Sequence, residues 1–309
     1  MDRPALPPRT RVLPAVVALV LLTVPSAGAQ ELKLPLKDGS VRFAVMGDTG
    51  TASKAQSEVG KQMAAFHSKF PFEFVIMVGD NLYGGSYTPA DYKSKFEDPY
   101  AELIAAKVKF YAALGNHDSS TERLYKNWNM GGQRYYTFRA SPGGVGKIGS
   151  PGVRFFALDT TYMDKPQLEW LQSELQKSTS EWKLAFFHHP LYSSGKTHGS
   201  SLDLRAVMEP LFIEHGVSVA FSGHDHFYER IKPQHGINYF VAGAGGSLRK
   251  GNINRSSGLT DAGFDSDYSF MLVEIAENDM YFQAISRTGQ TVDSGVIHHA
   301  PFAEPAGAP

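Results

Sequence analysis

The 309-residue sequence contains no cysteine. That absence excludes disulfides, a thiolate nucleophile and any cysteine-ligated metal, so a bound ion has to take Asp, Asn, His, Tyr or water. An excess of one charge is also lacking. Thirty Lys and Arg against 31 Asp and Glu leave a net charge of −1, which gives no electrostatic case for a nucleic-acid partner or an anionic membrane. Long apolar runs are missing as well. Val12–Val24, with 13 residues, falls short of the ~20 that span a bilayer, and no later segment is longer and as apolar. Arg3, Arg9 and Arg11 open the chain before this run, and the small residues Ala27-Gly28-Ala29 follow it. That is the pattern of a secretory signal peptide over residues 1–29. It predicts a periplasmic or secreted protein with no stable membrane association after cleavage.

Short runs rich in Val, Phe and Ile, bounded by Gly or Asp, predict strands at Val41–Met46, Phe74–Val78, Val108–Leu114, Val153–Leu158, Lys183–Phe187, Val217–Ser222, Ile237–Ala242, Ser269–Ile275 and Met280–Ser286. Helical periodicity falls between several of them, at Ser53–Phe70, Pro166–Lys177 and Leu202–His215. Asp164 followed by Gln167 reads as a capping box for the second helix. Strands alternating with helices predict an α/β protein. The last strands come without intervening helices, which predicts a mixed sheet with hairpins. Ser141–Gly152 and Ser247–Asp267 read as long loops. Residues 30–300 read as a single domain, and 301–309 as a disordered tail.

Five clusters of metal-competent residues hang off the ends of predicted strands: Gly47-Asp48-Thr49-Gly50, Gly79-Asp80-Asn81-Leu82-Tyr83, Gly115-Asn116-His117-Asp118, His188-His189-Pro190 and Gly223-His224-Asp225-His226. Ligands in open α/β sheets bind beyond the carboxyl ends of strands, so five strands would aim their first loop residues at one place. A Gly-Asp after a strand is ordinarily just a turn; the ordered set of five is what carries the signal. In Gly223-His224-Asp225-His226, alternation sends both histidines to one side of an extended segment. Alternation also sends His188 and His189 to opposite sides, so only one of them reaches a metal. The set is too large for one ion and suits two that share a ligand, an arrangement fit for phosphoryl chemistry.

In order, the motifs D-x-G, G-D-x-x-Y, G-N-H-[DE], x-x-x-H and G-H-x-H resemble the purple acid phosphatases, within the calcineurin-like metallophosphoesterases. Trp128-Asn129 and Gln167-Leu168-Glu169-Trp170-Leu171 add likeness to the small, tartrate-resistant type. The resemblance implies a four-layer α/β/β/α sandwich of two mixed β-sheets flanked by helices. It implies that Asp48, Asp80, Tyr83 and His226 hold Fe(III). Asp80 would bridge to a divalent ion (Fe, Zn or Mn) held also by Asn116, His188 and His224. Hard carboxylate and phenolate donors suit Fe(III), whereas imidazole and amide oxygen suit the divalent metal. His188 is selected over His189 because the family's ligand stands two residues before the proline; Ala185 departs from the family's usual valine. The implied activity is an acid phosphatase that hydrolyses small-molecule phosphate monoesters or anhydrides with metal-activated water. His117 and His198 would handle protons, and Asp118 would orient His117. The alternatives are a divalent-metal phosphodiesterase or nucleotidase of the same fold, and an exported metal-binding protein without turnover.

Overall fold

Odd and even positions of the first strands separate two cores, and that alternation builds the layers. In a computed structural model that describes residues 1–2, 31–147, 149, 152–178 and 182–299, the strands Val41–Met46 (β1) and Phe74–Val78 (β2) begin and end as predicted. Val41, Phe43, Val45, Phe74 and Ile76 face a central core, while Ala44, Met46, Val75 and Met77 face outward. The outward set packs under helix Lys54–His67 (α1) through Met63 and Phe66. Each strand is therefore apolar on both faces, as expected of parallel strands with a sheet behind and a helix in front.

After the short helices Pro89–Tyr92 (α2) and Ala101–Ala105 (α3), Lys109–Ala113 (β3) completes the parallel trio, with β1 parallel to β2 and β2 parallel to β3. Three antiparallel strands extend this sheet on its other side: Ser269–Ala276 (β12), Asp279–Ser286 (β13) and Thr291–His298 (β14). The order is β14-β13-β12-β1-β2-β3. A second sheet contains Tyr136–Ser141 (β4), Gly144–Val145 (β5), Val153–Ala157 (β6), Trp182–Phe186 (β7), Val219–Ser222 (β8), Tyr228–Ile231 (β9), Asn238–Ala242 (β10) and Thr260–Phe264 (β11). Its order is β11-β9-β10-β8-β7-β6-β4-β5. β6, β7, β8 and β10 run parallel.

The sheets meet through Phe155, Leu184 and Phe221 against Phe43 and Phe74. The Phe43 ring stacks on Phe74 at 5.3 Å and meets Phe155 edge-on at 5.1 Å, the offset and T-shaped geometries that aromatic quadrupoles favour. The far face of the second sheet is covered by helices Lys165–Gln176 (α4) and Leu202–Glu214 (α5), through Leu171, Leu175, Met208 and Phe212. The result is the expected α/β/β/α sandwich of two mixed sheets.

Some local expectations are corrected. Asp164 caps α4, accepting from the Gln167 N–H at 3.0 Å. The Gln167 side chain, however, does not return to it; it bonds the backbone of Asp159 at 2.8 and 2.9 Å, so the capping box is only half formed. Ser247–Asp267 is not all loop, because it contains β11, and Ser141–Gly152 contains β5. Both are short edge strands that gain backbone hydrogen bonds without an apolar alternation to announce them. The signal segment and the tail lie outside the described residues. Among the described residues no helix is long and apolar enough to cross a membrane.

Candidate metal centre

The parallel strands β1, β2, β3, β7 and β8 all end at one edge of the sandwich, and the five motif loops converge there. They interlock closely. A Cβ on Gly115 would sit 2.2 Å from Asp80 Oδ1, and one on Gly223 would sit 2.4 Å from Asp48 Oδ2. These motif glycines therefore make room for the carboxylate on the neighbouring loop. The backbone is braced in register: Asp48 N–H donates to Gly79 O at 3.0 Å, Thr49 N–H to Asp80 O at 3.1 Å and Gly223 N–H to His188 O at 2.9 Å. Asp48, Asp80 and His224 hold φ values of +55°, +50° and +68°, a conformation that non-glycine residues adopt mainly where function over-determines them.

The donor atoms form two groups that meet at Asp80. In the first, Tyr83 Oη lies 2.9 Å from Asp48 Oδ1 and 3.1 Å from His226 Nε2, and His226 Nε2 lies 3.4 Å from Asp48 Oδ1. Ligand atoms of Asp48, Asp80 and His226 all fall within 4.8 Å of one another. In the second, His188 Nε2 stands 3.0 Å from Asn116 Oδ1, 3.1 Å from His224 Nδ1 and 3.3 Å from Asp80 Oδ2. All seven predicted ligand residues are thus brought together. Asp48, Asp80 and His188 are buried, Tyr83, His224 and His226 half-buried, and Asn116 exposed. Each aspartate spends one oxygen on a backbone N–H, Asp48 Oδ2 on His224 at 3.0 Å and Asp80 Oδ1 on His117 at 2.9 Å. The other oxygen is thereby aimed into the cluster, as outer partners aim metal ligands.

This donor set fits metal ions. His188 Nδ1 faces the Val78 carbonyl at 3.1 Å, so in neutral imidazole the proton belongs on Nδ1 and Nε2 carries a lone pair. That lone pair points at two oxygen acceptors and a second imidazole, an arrangement that a cation resolves. Without metal, a proton has to do so. Burial opposes charge on His188, but the hydrogen bond and charge of Asp80 outweigh it and raise the imidazole to about 9. Conversely, burial pushes the Asp80 carboxyl up, yet His188 overcomes it and holds the group below the usual carboxylate range. Burial, then the charges on Asp48 and Asp80, push the Tyr83 phenol far above its ordinary value, so Tyr83 ionises only beside a strong cation. Among the described residues the cationic partners of the two aspartates are His226 and His188 rather than lysine or arginine; buried carboxylates without such partners call for a metal.

The proton-handling candidates border this set. The His117 ring lies 4.8 Å from that of Tyr83, and the His198 ring 4.1 Å from that of His224; both are exposed. Asp118 does not orient His117. Its Oδ1 accepts from the Asn81 and Leu82 N–H groups at 2.7 and 3.0 Å, and its Oδ2 from Asn81 Nδ2 and the Gly115 N–H at 2.7 and 2.8 Å. Asp118 thus ties the second loop to the third. What fixes His117 is its own N–H on Asp80 and its carbonyl, which accepts from Tyr87 Oη at 3.0 Å. His189 bonds Thr160 Oγ1 through Nδ1 at 3.0 Å while its ring lies 4.5 Å from that of His224; a ring nitrogen of His189 also lies within 4.8 Å of ligand atoms of His188 and His224, so alternation does not carry it away from the cluster as expected.

A further element was not foreseen. Asp225 and Glu229 are fully buried and hold the loop that presents His198. Asp225 Oδ2 accepts from Ser193 Oγ at 2.6 Å and from the Gly199 N–H at 3.0 Å. Glu229 takes the Ser194 N–H at 3.0 Å and Ser194 Oγ at 2.5 Å. The signal was in view, because Asp225 sits inside the fifth motif between two ligands, but nothing in spacing says which loop it serves.

Comparison with known proteins agrees with this geometry. The family model described as calcineurin-like phosphoesterase matches residues 41–228. Purple acid phosphatase 7 of Arabidopsis thaliana is 30% identical over 252 residues, covering 71% of this chain and 74% of that protein. Tartrate-resistant acid phosphatase type 5 of Homo sapiens is 25% identical over 312 residues, covering 85% and 94%. Among solved structures, GAP50 of Plasmodium, described as the anchor in the inner membrane complex, superposes with a TM-score of 0.75 at 21% identity, over 86% of this chain and 91% of that one; at that identity it speaks for the fold alone. The chain belongs to the calcineurin-like phosphoesterase family. Its curated relatives are purple and tartrate-resistant acid phosphatases, and it is a phosphoester hydrolase.

Proposed function

We propose that the protein is an exported acid phosphatase that hydrolyses small-molecule phosphate monoesters or anhydrides at an Fe(III)–M(II) centre. The observation that carries this reading is the position of Asp80, whose carboxylate stands 3.3 Å from His188 in one donor group and within 4.8 Å of the ligand atoms of Asp48 and His226 in the other. Asp48, Tyr83, His226 and Asp80 would hold Fe(III); Asp80, Asn116, His188 and His224 would hold Fe, Zn or Mn in the divalent state. When bound, such a pair neutralises charge on the phosphate and lowers the pKa of water, so that a nucleophile is present at acidic pH. Tyr83 favours the trivalent ion, since two buried carboxylates beside it oppose its ionisation.

The chain's own groups do the rest. The buried aspartates and His188 keep the floor rigid, and the exposed Asn116 leaves one side open to substrate. His117 and His198 can hold phosphate oxygens and pass a proton to the leaving alkoxide, a contribution of ~10²–10⁴-fold for a positioned acid. Export rests on residues 1–29 as a signal peptide, which leaves residues 30–300 as one domain.

The test is elemental analysis and a visible spectrum of natively loaded protein, with turnover of p-nitrophenyl phosphate and of its bis-ester. Iron, a tyrosinate-to-iron absorption band and monoester preference are expected. A colourless protein with two divalent metals and diester preference would transfer the site to a phosphodiesterase. A metal-loaded protein inert on both esters would end the enzymatic reading.

A further inference from the structure

Beside the metal-ligand set lies a cavity of about 380 Å³ that the reaction as described does not use. That is within the ~300–1,000 Å³ of small-molecule sites. Asn116, which belongs to the donor set, forms one wall, so a phosphate held there would extend its alcohol half into this space. His189 and Thr160 form the next wall. The His189 N–H donates to Thr160 Oγ1 at 3.0 Å, and His189 Nδ1 lies 3.0 Å from the same oxygen. When Thr160 directs its hydroxyl proton to Nδ1, that ring nitrogen accepts. The ring's own proton then sits on Nε2, its remaining polar atom. The first turn of α5 also lines the cavity, where Leu202 and Leu204 are apolar; among the described residues Asp203 is the only formally charged one in the lining, and no lysine or arginine lines it.

We propose that this cavity is the subsite for the alcohol half of the substrate, with His189 Nε2–H as its hydrogen-bond donor. Asp203 restricts it to an uncharged, hydroxyl-bearing group in preference to a second phosphate. A hydroxyl can accept from His189 and donate to Asp203, and the leucines take the carbon skeleton. A terminal phosphate would meet a carboxylate and find no cation. This deepens the phosphatase reading and rests on it: it selects polyol-type monoesters over anhydrides.

The experiment measures kcat/KM of the metal-loaded enzyme for glycerol 2-phosphate and for pyrophosphate, and follows their ratio, which cancels any general loss of activity. The wild type is expected to favour glycerol 2-phosphate. Asp203→Lys reverses a charge on the cavity wall and should shift the ratio toward pyrophosphate by roughly 10-fold or more at low salt, with Asp203→Asn in between. His189→Ala should raise KM for glycerol 2-phosphate more than it lowers kcat. His189→Gln, which retains a side-chain donor, should recover part of that loss. A wild type that prefers pyrophosphate, or a ratio unmoved by both Asp203 substitutions, overturns the subsite while leaving the phosphatase standing. An enzyme that hydrolyses neither ester fails at the earlier step and takes the subsite with it.

Discussion

Chelation of the metals should destabilise the protein, and by more at high pH than at low. The argument starts from His188. In the metal-free fold its imidazole is raised from an ordinary 6.5 to about 9, burial opposing the shift and Asp80 driving it. A group whose folded pKa lies above its unfolded one contributes stability that is complete below the unfolded value and vanishes as pH rises through the folded value. The His188–Asp80 pair therefore supports the metal-free protein at pH 6 and no longer supports it above pH 9. At 1.36 kcal/mol per pH unit, the change is about 3 kcal/mol; Asp80 is the other half of the same pair and is not counted again. The loaded protein behaves oppositely, because a metal replaces that proton and binds more tightly as the imidazole deprotonates. For a domain of this size 1 kcal/mol is worth about 2–4 °C, so the gap in melting temperature between loaded and chelated protein should widen by roughly 6–12 °C from pH 6 to pH 9. Thermal melts followed by circular dichroism with and without chelator at the two pH values measure it. A gap that stays constant or narrows at pH 9 would refute the assignment of His188 as a ligand facing a shared lone-pair cluster.

Tyr83→Phe should abolish the visible band while leaving the fold intact, since the phenol is half-buried and its hydroxyl meets Asp48 and His226 of the donor set and the side chain of Ser247; absorption spectroscopy of the iron-loaded variant decides it. His117→Ala should lower kcat on p-nitrophenyl phosphate by ~10²–10⁴-fold with metal content close to wild type by elemental analysis. Asp225→Asn should lower kcat about 10-fold by loosening the His198 loop, and adding His198→Ala to it should cost little more than His198→Ala alone, because residues acting through one group are not additive.

The ends of β1 and β2 were legible because both faces of those strands are largely buried: Phe74–Val78 is a continuous apolar run, Val41–Met46 is broken by Arg42 alone, and both are cut off by Gly-Asp. β4, β5, β9, β11 and β14 were not. β11 carries Thr260 and Asp261 with no apolar stripe, and β4 and β9 mix polar residues with aromatics, so their pairing is decided by neighbouring backbone rather than by pattern. At the site, residue types and order announced all seven convergent side chains. Second partners were less visible. Asp118 follows His117 directly and invites the thought that it orients that ring, yet its four acceptor directions are taken by N–H groups of Gly115, Asn81 and Leu82. Adjacency along the chain carried no information about direction, and only the fold shows that Tyr87, thirty residues earlier, is what touches the His117 carbonyl.

The five loops also act as one structural unit, with a consequence for the two ion sites. Asp48 belongs to the first donor group, but its Oδ2 accepts the His224 N–H and so sets a residue of the second. Asp80 reaches His188 with one oxygen and fixes the His117 backbone with the other. Asp48, Asp80 and His224 all sit at positive φ, each at a cost on the order of 1–3 kcal/mol, and the cross-loop bonds of Asp48, Thr49 and Gly223 keep them there. Removing one carboxylate should therefore release strain in a neighbouring loop as well as delete a ligand. Asp48→Ala is expected to lose the ion it would ligate and to weaken the second by about tenfold or more, the effect typical of deleting an outer partner, although Asp48 contributes no atom to the second donor group. Elemental analysis against competing chelator reads both losses at once. A variant that drops only one metal and binds the other as tightly as wild type would show that the loops are independent, and that the glycines at 115 and 223 serve turns rather than the carboxylates packed against them.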